Sequence, residues 1–170
     1  GLEPGEQVSV IYDPADPDTD KGAVELDILN YWRKTGIAGH KIEGYAALRP
    51  HSEVEMKLAI WFFGSAYLGV SLPLRAQNQV VWHVPDHILG PEDDPGSWGG
   101  HAVLATAAGP WGVQVVTWGI TQVVTWAWIR SYCDEAYAIL SPDWITNAGE
   151  TMGGVPLASL RQDIRLIGTV

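Results

Sequence analysis

The chain has one cysteine, few basic residues and no long hydrophobic run. With Cys133 alone, an internal disulfide framework and a cysteine-rich zinc site are excluded. Ten basic residues stand against 20 acidic ones, and the net charge of −10 disfavours nucleic acid and anionic membranes as partners. No apolar stretch approaches the about 20 residues needed to span a bilayer. The first five residues are neither basic nor apolar, so no signal peptide is predicted.

The composition that is present is typical of a compact globular protein. Apolar residues make up 46% of the 170 residues and charged residues 18%. A chain of this length can bury a core, and we expect a single domain over residues 1–170. Nine tryptophans are many for this length, and such large flat side chains suit a core or the wall of a groove.

The first half of the chain predicts two helices after a polar segment. Residues 1–17 contain three prolines and are predicted to form an extended lead-in and a loop. A helix is predicted from about residue 22, and its apolar face consists of Val24, Ile28, Tyr31 and Trp32. A second helix is predicted over residues 52–63, and its buried side consists of Val54, Leu58, Trp61 and Phe62.

The second half of the chain predicts mainly strands, separated by proline and glycine signals. The strand-like ranges are 66–72, 79–84, 101–107, 112–118 and 136–140. An exposed loop is predicted over residues 88–100, a helix over 123–134, and a docked helix in the tail 146–170. Helices in the first half of a chain followed by several strands in the second half are typical of the α+β class.

Two stretches of the chain resemble the papain-like cysteine peptidase family. Asp20-Lys21-Gly22 before a helix is similar to the Asp-Gln-Gly that precedes the family's catalytic helix. Residues 99–103 and 115–119 are similar to its His-Ala-Val strand and its Asn-Ser-Trp-Gly strand. The resemblance covers residues 18–145 and implies an N-terminal helix packed on a twisted antiparallel sheet. Residues 23 and 101 are 78 positions apart. Papain and the cathepsins have about 130 to 150 between the equivalent residues, so a compact version of the fold is implied.

The nucleophile that the resemblance calls for is missing. Papain-type hydrolysis uses a thiolate at a helix N-terminus, where the helix dipole lowers its pKa. The corresponding residue is Ala23 when counted from the family's glycine, and Asp27 when counted from its glutamine. That glutamine, which helps to hold the oxyanion, matches Lys21.

The histidine side of the same site is partly retained. His101 occupies the position of the catalytic base, and Trp118 that of the tryptophan that shields it. The orienting asparagine matches Val116, which cannot accept a hydrogen bond from an imidazole. Thr117 is the nearest hydroxyl and could orient the ring weakly.

The only thiol does not replace the missing nucleophile. Cys133 follows His101 by 32 positions, beyond the predicted strand pair, and is expected to be a buried structural residue on a helix. The loss of the nucleophile is therefore natural, or Ala23 is an engineered substitution in an active peptidase. A third possibility is an enzyme of other chemistry that uses Asp27 and His101.

Two metal-binding patterns are weaker than their structural alternatives. His83 and His87 are four positions apart, but Pro85 between them breaks the helix that such a pair needs. Four acids occupy positions 1, 3, 5 and 12 of a calcium-loop template, but Lys21 stands where the template requires glycine. These acids are Asp16, Asp18, Asp20 and Asp27. We therefore predict no bound metal and no cofactor.

These observations predict a binding or structural protein rather than an active enzyme. The resemblance implies a groove that presents His101, Trp118, Lys21 and Asp27 and holds a protein or an extended peptide. Residues 132–137 and the Ser-Pro-Asp-Trp at 141–144 also resemble papain-fold proteins of bacteriophages and prophages. That likeness implies a place in a phage particle or in the host cytoplasm.

Overall fold

The computed structural model of the protein describes residues 23–86 and 90–167, with side chains through residue 162. The helices in these residues are α1 (Glu25–Lys34), α2 (Glu53–Phe63), α3 (Trp126–Tyr132) and α4 (Leu157–Ile167). The strands are β1 (Gly44–Ala47), β2 (Ala66–Leu72), β3 (Val81–Trp82), β4 (Gly99–Gly109), β5 (Gly112–Thr117), β6 (Ile120–Thr125) and β7 (Cys133–Leu140). Lys21, His87, the lead-in 1–17 and three of the four acids of the calcium template lie outside the described residues.

The described strands form one open sheet in the order β1-β7-β2-β4-β5-β6-β3. Five of the six neighbouring pairs are antiparallel, but β3 runs parallel to β6. The sheet is therefore mixed, and the prediction of a purely antiparallel sheet was wrong at this edge. The α+β class is confirmed, with four helices and seven strands in the described part of the chain.

The sheet separates two unequal apolar clusters because neighbouring side chains of a strand point to opposite faces. On one face Leu68 and Val70 of β2 pack with Met56 of α2 and Trp128 of α3 in the larger cluster. On the other face a smaller cluster forms around Leu29 of α1. Helix α1 and helices α2 and α3 therefore contribute to different faces of the sheet.

Helix α2 begins and ends as the sequence predicts but buries a different side. The Ser52 side chain caps it by accepting from the Glu55 backbone N–H at 3.3 Å. Met56 and Ala59 are buried, whereas the exposed fractions of Val54 and Trp61 are 67% and 69%. The predicted buried side was wrong, because apolar spacing identifies a stripe but not which of two stripes meets the sheet.

Helix α1 shows its predicted apolar face in part, because Ile28, Tyr31 and Trp32 are half-buried. Leu29 is fully buried and Glu25 is nearly so, whereas Val24 is largely exposed. The helical spacing of apolar residues predicted Val24 as buried, and a carboxylate is rarely buried without a partner. The burial of Glu25 is therefore the least expected feature of this helix.

The predictions for the remaining elements were right for the central strands and wrong at three places. The predicted helix over residues 123–134 is the end of β6 followed by α3. The predicted strand over 79–84 shortens to β3, and the short strand β1 was missed. The tail forms α4 as predicted, and Arg161 donates to Glu43 beside β1 at 2.5 Å. None of the helices in the described ranges combines the length and the apolarity needed to cross a bilayer.

Candidate functional site

His101 lies near the start of β4, and two neighbours from the β5–β6 turn hold its ring. Its Nε2 is hydrogen-bonded to Oγ1 of the buried Thr117 at 2.7 Å. Its ring stacks on the indole of Trp118, with centroids 4.2 Å apart and planes 11° apart. Partial burial lowers the pKa of His101, because it disfavours the charged imidazolium. Thr117 and Trp118, two of the residues singled out in the sequence, therefore contact the His101 ring.

Trp118 occupies a backbone conformation that suits few residues. It forms the two-residue turn between β5 and β6 with Gly119, and φ is positive at both, at 44° and 75°. Such turns favour Asn-Gly, and a bulky residue with positive φ costs about 1 to 2 kcal/mol. The indole remains 57% exposed and lies 5.2 Å from the ring of Trp98. Trp118 is therefore a strained, exposed residue, and its ring contacts the rings of His101 and Trp98.

Contacts of Asp93 and of the Trp98 backbone hold the loop that carries Trp98. Asp93 is buried and pairs with Arg75, so the prediction that residues 88–100 form a fully exposed loop was wrong at this residue. The hydroxyl of Tyr132 donates to the Asp93 carbonyl at 2.9 Å, and the Trp98 backbone N–H donates to Leu72 at 2.9 Å. These contacts hold the backbone of the loop up to Trp98.

The start of α1 meets the sheet at Gly69, on the face opposite the His101 ring. A Cβ placed on Gly69 of β2 would lie 2.9 Å from Oε1 of Glu25, so the carboxyl packs directly on that backbone. Gly69 pairs with Ala102 of β4, the residue after His101. His101 itself pairs with Val70, whose side chain belongs to the cluster of α2 and α3. Because neighbouring residues of a strand point to opposite faces, the sheet lies between the His101 ring and the first turn of α1. Ala23 and Asp27 are exposed at this helix start.

Glu25 is an unusual carboxyl. Neither of its buried oxygens has a hydrogen-bond partner in the described part of the chain. Burial, reinforced by the negative charges of Glu135 and Asp134, raises the pKa of Glu25 to about 7. Asp134 accepts from the Ser71 hydroxyl at 2.5 Å, and Glu135 from the Tyr137 hydroxyl at 2.7 Å. Three carboxyl groups therefore share the α1 side of the sheet.

The first residues of β4 form an open stretch of strand. Residues 99–103 pair with β2 on one side, whereas the pairing of β4 with β5 begins only at Leu104, within the described strands. A Cβ on Gly99 or Gly100 would meet no atom within 4 Å, and Ala102 is exposed. Backbone groups on this side can therefore accept a further strand.

Sequence reasoning missed two members of this region and misplaced one. Glu25 and Asp134 were not predicted as site residues, because only the fold brings them to the same face. Val116, the predicted orienting position, pairs with Leu104, and it is 40% exposed. Alternation along β5 directs Val116 away from the face of Thr117, so the hydrogen bond to the imidazole comes from Thr117 and not from Val116.

The thiol of Cys133 is inaccessible, as the sequence predicts, although it begins β7 rather than lying on a helix. Its side chain is 2% exposed, and burial raises its pKa to about 12. We expect no measurable reaction with Ellman's reagent at pH 8 in the native protein and one equivalent in denaturant. Rapid native labelling, with circular dichroism unchanged, would contradict the buried position.

A metal site finds no support in the described ranges. No three histidine, cysteine or acidic side chains converge there as ligands. His83 instead uses its Nδ1 in a 2.8 Å hydrogen bond to the Val81 carbonyl. His87 and the acids at 16, 18 and 20 lie outside those ranges.

Comparisons with known proteins add no relative to this description. No family model, no curated protein and no solved structure matches the chain.

Proposed function

We propose that this protein is a papain-like protein without peptidase activity, which binds an extended basic peptide along the open part of β4. The observation that carries the proposal is the environment of His101. Its ring is held by Thr117 and Trp118, as a catalytic imidazole would be held by its orienting and shielding residues. The first turn of α1 carries no thiol and lies on the opposite face of the sheet from this ring.

The open stretch at residues 99–103 supports an extended ligand. A peptide can add to such a strand through main-chain hydrogen bonds, while its alternate side chains contact the two faces. The small residues Gly99, Gly100 and Ala102 leave space for it. On one face its side chains would meet the rings of Trp98 and Trp118, which are 38% and 57% exposed.

The charges around this strand favour a basic peptide. Ser71 of β2 donates to the exposed Asp134 and pairs with Gly100, so this carboxylate lies at β2, the strand next to the open part of β4. Glu135 is the next residue, and the whole chain carries a net charge of −10. Lysine or arginine side chains gain from these carboxylates and from cation–π contact with an exposed indole such as Trp118.

Membership in the papain-like fold and a role in a phage particle are parts of this proposal that rest on the resemblance in sequence. An active peptidase in which Ala23 replaces a native cysteine is the alternative. The binding protein and the peptidase predict different results for one variant. Ala23→Cys is expected to leave bound peptide intact, because Lys21 and Val116 also replace catalytic residues. Cleavage of a peptide by that variant, detected by mass spectrometry, would favour the peptidase.

The binding proposal is tested with two labelled decapeptides, one alternating lysine with valine and one alternating glutamate with valine. Fluorescence anisotropy is expected to show binding of the lysine peptide only. Trp118→Ala should weaken that binding on the order of tenfold, and Asp134→Asn about two- to fivefold. Trp111→Ala is the matched control, because Trp111 is also exposed but lies in the turn at the other end of β5. No binding, equal binding of both peptides, or equal effects of the two tryptophan variants would overturn the proposal.

A further inference from the structure

A cavity of about 350 Å³ lies on the α1 side of the sheet, apart from the open strand. Trp32 of α1 and Trp144, from the short helix Pro142–Trp144, are among its walls, and Leu104 and Ile139 line it from the sheet. Ligand sites are mostly apolar cavities of this size with a few polar groups that fix orientation. The polar groups here are Ser65 and the pair His40–Asp143.

The two indole walls are fixed without a ligand. The Trp32 Nε1 donates to the His40 carbonyl at 3.1 Å. The ring of Trp144 lies against Gly64, where a Cβ would be only 2.1 Å from the ring. Gly64 also ends α2 with a φ of 81°, a conformation that favours glycine. The cavity therefore depends on the missing side chain at residue 64.

The polar groups of the cavity differ between its inner end and its opening. His40 Nδ1 lies 3.1 Å from Oδ2 of Asp143, and both side chains are exposed at the rim. Ser65 lines the cavity from inside and is only 5% exposed. A ligand would therefore find a hydroxyl inside and a carboxylate at the opening.

We infer that this cavity binds an aromatic ring that carries a cationic amine. The ring fills the space between the indoles of Trp32 and Trp144, where offset stacking and edge contacts are favourable. The amine points outward to the carboxylate of Asp143, in keeping with the acidic charge of the chain. This inference is independent of the peptide proposal, because Trp98 and Trp118 do not line the cavity.

The test compares tryptamine with indole-3-propionate, which have the same ring and opposite charges. Titration monitored by NMR is expected to give a Kd on the order of 1 mM for tryptamine and several-fold weaker binding of the acid. Asp143→Asn should reduce this preference about two- to fivefold, as expected for an exposed pair. Trp118→Ala should leave tryptamine binding unchanged, and its loss in that variant would show that the amine binds at the His101 site instead.

Two variants test the cavity itself. Gly64→Ala should displace Trp144 and abolish tryptamine binding, because the new Cβ would overlap the indole. Leu104→Phe fills the cavity from the sheet and should do the same if the glycine variant fails to fold. Unchanged binding in Leu104→Phe, equal affinity for the two indoles, or no binding of tryptamine at millimolar concentration would overturn the inference.

Discussion

Replacing Glu25 by glutamine is expected to raise the free energy of unfolding at pH 8 by about 2 to 3 kcal/mol. In the folded protein burial raises the pKa of Glu25 to about 7 from its ordinary value of 4.5. The folded state therefore holds this proton more tightly than the unfolded state. The penalty for ionising it is absent below pH 4.5, grows as the pH rises, and is complete above pH 7.

The measurement is urea denaturation at pH 4.5, 6 and 8. The parent protein should lose stability across this range, and Glu25→Gln should lose much less of it. The gain falls short of the full electrostatic penalty, because a buried amide is also left without partners. Asp27→Asn is the matched control, since Asp27 lies on the same helix but is exposed. Parallel stability curves for the parent and Glu25→Gln would show that the Glu25 carboxyl is not desolvated.

The contacts of His101 could be predicted from the sequence because they depend on a short stretch of chain. His101 and Thr117 belong to strands that pair through one hairpin, and Trp118 is the next residue. The order of these residues in the sequence already places them together once both strands are identified. The same local logic gave the bounds of α2 and its cap at Ser52.

The residues that were missed depend on contacts between distant segments. Glu25 meets Gly69 only because α1 packs across β2, and no periodicity in the sequence indicates a carboxyl at that position. The error in the buried side of α2 has the same cause, because packing against a distant strand decides which side is buried. Val54 and Trp61 are as apolar as Met56, so composition cannot decide which side meets the sheet.

Gly112→Ala is expected to destabilise the protein by about 4 kcal/mol, through strain and overpacking together. Gly112 has a φ of 151°, and a Cβ there would lie 1.9 Å from the Val124 carbonyl oxygen on the paired strand β6. Gly99→Ala is the matched control, because Gly99 has a φ of 145° but open space around the new Cβ. Its expected cost is about 1 to 2 kcal/mol from backbone strain alone. Urea denaturation of both variants isolates the clash between β5 and β6, and equal losses would show that these strands are not so closely paired at Gly112.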